Sequence, residues 1–155
     1  MTTQTTYSER MAPPRPGTIA GQEFEVNTAI CETASPGIPF GRAVSKGSLS
    51  DQGVVLGGTQ ATFRGIAVRD ITLRGDLAVV DAYLPPNSMG VLEEGDIWVD
   101  PSHAVAVDDA VYFDGTTGQL TNQSSGTQLI KGARWKTSCG TGGSAIAQIP
   151  DYRGA

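Results

Sequence analysis

Nowhere in this chain do eleven consecutive residues hold a 3.6-residue apolar period without meeting a glycine or a proline. That restriction removes amphipathic helices as building blocks and leaves short strands joined by tight turns. Twenty glycines and nine prolines in 155 residues make almost one residue in five a chain-turner, against roughly 12% in average usage. At this length the chain supports one core without staples. The expected fold is all-β, a small antiparallel barrel or sandwich of roughly eight to ten short strands.

The strands are read from alternation. In "EFEVNTAICE", Phe24, Val26, Thr28 and Ile30 face one way and Glu25, Asn27, Ala29 and Cys31 the other, which predicts a half-buried strand with an apolar first face. "GIPFGRAVSKG" carries Pro39, which suits an edge or a strand start. "TFRGIAVRDITL" is β-branched, and Gly65 marks a bulge or a close backbone approach. "DLAVVDAYL" follows, broken by Pro85-Pro86-Asn87. Glu94-Gly95-Asp96 reads as a turn between two short strands, and "GDIWVD" from Gly95 is echoed by "DAVYFD" from Asp109. The echo predicts successive strands of one antiparallel sheet. Asp114-Gly115 is a hairpin signal, and "TQLIKGARWKTS" and "SAIAQI" close the chain as strands. Trp98 and Trp135 both fall in strand patterns and are assigned to the core.

Charge and chemistry exclude more than they suggest. The formal net charge of −5 disfavours a generic nucleic-acid or anionic-membrane binder. Seven acids between Glu93 and Asp114 meet no Lys or Arg, whereas Lys131, Arg134, Lys136 and Arg153 make the end of the chain basic. A solvated acidic face is the simpler account; contact between the acidic edge of one copy and the basic tail of the next is the alternative. No apolar run approaches the ~18 residues of a membrane helix, and the start lacks the pattern of a secretory signal. Cys31 and Cys139 are expected as two buried free thiols, with a disulfide as the alternative.

His103 is the sole histidine, and no G-x-S-x-G elbow supplies a nucleophile for it. One histidine and two distant cysteines make no zinc cage, and the acids lack a calcium-loop spacing. "CGTGGSA" lacks the Lys-Ser/Thr and following helix of a phosphate loop. A carboxylate pair for glycoside hydrolysis could be drawn from Glu32, Asp81 or Glu93 if they converged in a cleft, but the chain has only 6% aromatic residues to platform a sugar. The expectation is no enzyme: no catalytic residue, no cofactor and no metal.

The start of the chain, "TTYSERMAPPRPGTIAG", cannot build a core. Pro13, Pro14 and Pro16 fix φ and remove donors, and the residues before them are pushed out of the helical region. Residues 1–21 are expected to form an extended arm and residues 22–155 a single β-domain.

Several phrases, taken in order, resemble the structural cement proteins, or capsid decoration proteins, of tailed bacteriophages. They are Thr5-Thr6-Tyr7-Ser8 with Pro16-Gly17 and Ile19-Ala20, "IPFGRAVSKG", "FRGIAVRD", "VLEEGDIWV", "DAVYFD" with "TGQL", and "GARWKTS". Asp108-Asp109 departs from the pattern, which would have Gly-Asp at that turn. The resemblance implies a barrel or jelly-roll-like protein that binds the outer face of an assembled shell of major capsid protein and cements neighbouring subunits against internal DNA pressure. It implies a virion location after synthesis in the host bacterial cytoplasm, with no direct nucleic-acid or membrane partner. It also implies self-association, a homotrimer being favoured and a homodimer next.

In that setting Tyr7, Met11 and Ile19 become candidate anchors for apolar pockets on a neighbour, and Pro13, Pro14 and Pro16 lower the ordering cost of the arm. Seventeen extended residues reach up to about 55 Å, enough to add a strand to another subunit's sheet edge. The alternative role is a particle-displayed carbohydrate- or host-binding module without enzymatic activity.

Overall fold

The computed structural model describes residues 14–49, 51–72 and 82–151. Eleven strands appear among them: β1 Glu25–Cys31, β2 Ile38–Pro39, β3 Ala43–Lys46, β4 Gly53–Leu56, β5 Phe63–Ala67, β6 Ala82–Tyr83, β7 Ser88–Val99, β8 Ala110–Phe113, β9 Leu120–Thr121, β10 Gln128–Trp135 and β11 Ala145–Ile149. A single 3₁₀ turn, Gln60–Thr62, is the one helical element described. The all-β expectation holds. Most of the strand read in "DLAVVDAYL" lies outside the described residues, and only its end appears, as β6.

Nine strands form one sheet in the order β1-β4-β3-β5-β7-β11-β10-β8-β9, and β1 also pairs with β7. That extra pairing closes β1, β4, β3, β5 and β7 into a small barrel, which removes the free edges of those strands. β1 runs parallel to β4 and antiparallel to β7. The remaining strands hang from the far half of β7 as an extension. β2 and β6 make a separate two-stranded sheet, with Pro39 opposite Ala82.

Alternate side chains divide between two cores. All five barrel strands contribute to the first, through Ala29, Cys31, Val44, Val54, Ala67, Met89 and Val91, with Phe40 and Tyr83 added from around the small sheet. The second takes the other face of β3, β5 and β7 (Ala43, Ile66, Leu92) and packs it against the extension around Phe113, Ile130 and Trp135. β1 and β4 give nothing to this second core.

Two bulges make the division possible. Opposite β3 the register shifts between Val44 and Ser45, so Phe63 and Ile66 both reach the second core although they are three positions apart. This confirms the bulge read at Gly65. On β7 the outcome differs from expectation. Glu94-Gly95-Asp96 does not turn the chain; it continues one strand of twelve residues just past a bulge at Glu93. Glu25 faces Glu94 while Val26 faces Leu92, so one residue of β7 is extra, and Gly95 takes φ +131. The slip reverses the alternation, and Leu92, Ile97 and Val99 all enter the second core.

Other expectations change for the same reason. With Ile97 and Val99 turned inward, Trp98 is only half-buried, whereas Trp135 is fully buried. The strands of the "GDIWVD" and "DAVYFD" phrases share a sheet but are separated by β11 and β10. The hairpin at Asp114 forms, with Phe113 opposite Leu120, through a longer loop than Asp-Gly alone implies. Both cysteines are free; Cys31 is buried and Cys139 half-buried. Asp108, where the family pattern would have glycine, is the one non-glycine residue with positive φ (+70) among those described. The expected glycine would meet that backbone without strain.

A Cβ at position 95 would lie 2.8 Å from Phe24 Cβ, in a backbone region that L side chains avoid. Gly95→Ala is therefore expected to cost about 2–3 kcal/mol, measured as a lowered urea midpoint at unchanged m-value.

Candidate functional site

The predicted arm divides in two. Tyr7, Met11 and Pro13 lie outside the described residues. From Pro14 onward the chain is held on its own domain. Thr18 donates from its amide and its Oγ1 to Arg15 O (3.3 and 2.8 Å), which turns the chain at Pro16-Gly17. Gly17 N donates to Trp98 O at 2.8 Å, Trp98 N to Thr18 O at 2.9 Å and Ala20 N to Asp96 O at 2.8 Å. Ile19 thereby sits antiparallel to Ile97, on the opposite edge of β7 from β11, and its half-buried side chain packs on the second core.

Gly17 fixes this root. Its φ is +84, and a Cβ there would fall 2.8 Å from Arg69 N and 2.9 Å from Phe40 Cβ. Arg69 N in turn donates to Gly17 O at 2.8 Å. Pro16 is half-buried and Pro14 exposed.

Beside the root lies a small pocket of about 190 Å³, lined by Pro16, Phe40, Arg42, Arg69 and Asp100 among others. The Arg69 guanidinium stands 5.2 Å from the centre of the Phe40 ring. Burial pushes the Arg42 pKa down, and nearby Asp100 and Asp114 oppose that shift. Neither arginine was singled out from the sequence, and Gly17 entered only as part of the Pro16-Gly17 pair. The Pro-Gly dipeptide followed by an isolated Ile19 was the available signal for a docked turn.

The acidic stretch is structural. Glu93 is buried, 8% exposed, and accepts from Asn27 Nδ2 at 2.7 Å. Asp96 pairs with Lys136 at 2.5 Å, so acidic stretch and basic tail meet within one chain. Asp100 accepts from Ser144 Oγ. Asp109 accepts from Asn122 Nδ2 (2.8 Å) and Ala106 N (3.0 Å), and both bonds lower its pKa. Asp114 Oδ1 accepts from the amides of Thr117 (2.8 Å) and Thr116 (2.7 Å), which lower its pKa in that order of weight.

The residues considered for catalysis do not converge. Glu32 ties down the β3–β4 loop, accepting from Ser48 N (2.8 Å), Ser48 Oγ (2.9 Å) and Leu49 N (2.6 Å). Asp81 lies outside the described residues. His103 is exposed, and its Nδ1 contacts Ser102 Oγ (2.9 Å) and Thr121 Oγ1 (3.2 Å), with no carboxylate among its hydrogen-bond partners described. The glycine-rich segment after Cys139 leads into strand β11, not a helix whose N-terminus could hold phosphate. Among the described residues no helix is long and apolar enough to cross a membrane, and no group of three or more His, Cys, Asp or Glu side chains could hold a metal.

Comparison with known proteins gives a family and a fold. A family model described as structural cement protein (E217 gp24/Pam3 gp6) matches residues 3–150. No curated protein matches the chain. A solved chain from the capsid of Myoviridae phage XM1 superposes with a TM-score of 0.69 at 15% identity, over 98% of this chain and 99% of that one. At that identity the likeness is one of fold.

Ile19→Ala is expected to cost about 1–2 kcal/mol and to speed hydrogen exchange at the Trp98 and Ala20 amides ahead of the barrel. For Asp114, a depressed folded pKa means that its contribution is present above the ordinary carboxylate value of 3.8 and is lost as pH falls through the lower, folded value. Asp114→Asn should therefore lose most stability at pH 7 and progressively less as pH falls below 3.8, read from a series of urea midpoints.

Proposed function

This chain belongs to the structural cement protein family, and from that membership we propose that it binds the outer surface of an assembled bacteriophage capsid and cements neighbouring major capsid protein subunits. The observation that carries the reading is the family match, which runs over residues 3–150 and so takes in arm and domain together. The role is mechanical and needs no catalytic group.

A protein that binds the closed shell and not its separated subunits stabilises the shell by linkage, by RT ln(1 + [L]/Kd) at each independent site. The barrel suits that task, because its five strands close on one another and keep their edges from pairing with other copies. The partners are major capsid protein and other copies of this chain, with a homotrimer favoured over a homodimer. Self-association would raise the effective concentration of each further contact to the order of millimolar.

The arm is divided accordingly. Residues 14–20 serve as the root, spent on β7 of their own domain. Residues 1–13, including Tyr7, Met11 and Pro13, are the part that reaches a neighbour, over a span of up to about 45 Å.

Undecorated mature shells of the same phage, mixed with the protein, are expected to take up a fixed number of copies per shell and to release DNA at a higher temperature. Removal of residues 1–13 should leave the thermal midpoint of the free protein within a few degrees of wild type while weakening shell binding at least about tenfold. Binding to separated major capsid protein subunits as tight as to closed shells would sink the linkage mechanism.

A further inference from the structure

The alternation in β1 marks Phe24, Val26, Thr28 and Ile30 as its apolar face, yet the structure turns the other face inward. Ala29 and Cys31 fill the barrel, while Phe24 is 51% and Val26 37% exposed. Thr28 is exposed and Ile30 half-buried. Leu49, 52% exposed on the β3–β4 loop, lines a common surface pocket with Ile30 and Asp51 and extends the stripe. From Phe24 to Ile30 the stripe spans about 20 Å at the usual rise of a strand, the scale of a protein contact rather than of a small ligand.

This face is held open by the fold. β1 is hydrogen-bonded to β7 from Glu25 to Ile30 and to β4 at Ile30 and Cys31, which fixes its outer side chains away from the barrel. The second core covers the barrel's outer surface over β3, β5 and β7 and takes no residue from β1. The loop carrying Leu49 is fixed by the three hydrogen bonds that Glu32 accepts. Polar residues would fit these outward positions without disturbing either core, and a contiguous apolar stripe on a soluble domain marks a contact surface.

Charge selects what covers it. Glu23 and Glu94 line the open groove of about 620 Å³ that adjoins Phe24 through Gly95, where Lys136 is already paired with Asp96, and Asp51 stands beside Leu49 at the other end with the Arg64 guanidinium on its carbonyl. Two copies stacked through this face about a twofold axis would bring the same acids together. A partner with an apolar ridge flanked by lysine or arginine would satisfy both features.

We propose that the outer face of β1 is the surface through which the domain seats on the major capsid protein, with Phe24, Val26 and Leu49 as apolar anchors and Glu23, Glu94 and Asp51 facing basic groups on the shell. This rests on the shell-binding reading given above and adds a contact distinct from the arm.

The test titrates undecorated mature shells with four full-length proteins: wild type, Phe24→Ser with Val26→Thr, Leu49→Ser, and Glu23→Gln with Glu94→Gln. The apolar variants are expected to keep the thermal midpoint and sedimentation behaviour of wild type and to bind shells at least about tenfold more weakly. The acid variant should flatten the salt dependence of binding. Leu49→Ser sits on a loop and keeps the test sound if substitution beside Gly95 disturbs folding. Wild-type affinity in Leu49→Ser and in the Phe24 variant overturns the assignment of this face and leaves the shell-binding reading standing. Failure of wild type itself to bind shells overturns both. Loss of self-association in the apolar variants would make a second copy the occupant and overturn the proposal.

Discussion

The structure depends on one strand serving two sheets. β7 pairs with β1 and β5 along its first half and with β11 and the arm root along its second. Such sharing is feasible only if the side-chain phase changes where the partners change. The extra residue, Glu93 between Leu92 and Glu94, supplies that change and turns Ile97 and Val99 into the core that Leu92 already occupies. Without it, Asp96 and Trp98 would point inward and the extension would lose its apolar seat. Barrel, extension and root are therefore three consequences of one irregularity, and none can be altered there independently.

Much of the fold was legible because period-two alternation survives even in short strands. β1, β3, β5, β8, β10 and β11 all fall where alternation and turn residues put them. What alternation could not say is which face of a strand the rest of the molecule would cover. In β1 both faces carry apolar residues, and the smaller set, Ala29 and Cys31, fits the confined lumen of a small barrel where Phe24 would not. Glu94-Gly95-Asp96 misled for a related reason. A glycine between acids is the composition of a turn and also of a bulge, and only a partner strand tells them apart.

The candidate site was legible in part. Proline spacing argues against a core at the start of the chain. It does not reveal that a vacant edge of β7 waits for residues 17–20, because that edge is assembled from a strand almost eighty residues away. The acids between Glu93 and Asp114 read as surface charge, and most prove to be local acceptors for turn amides or partners of polar side chains. Their roles follow from loop geometry, which composition does not carry.

The root's geometry also sets how force enters the domain. Its hydrogen bonds to Trp98 and Asp96 lie side by side along β7, antiparallel to the arm. Tension drawn along the strand axis loads them together, in shear, and passes into the strand that both sheets share. Tension drawn across that axis would peel them one at a time. An attachment built this way resists pull in one direction and releases in another, so the direction of a pull applied at Pro14 would decide whether these bonds hold or part.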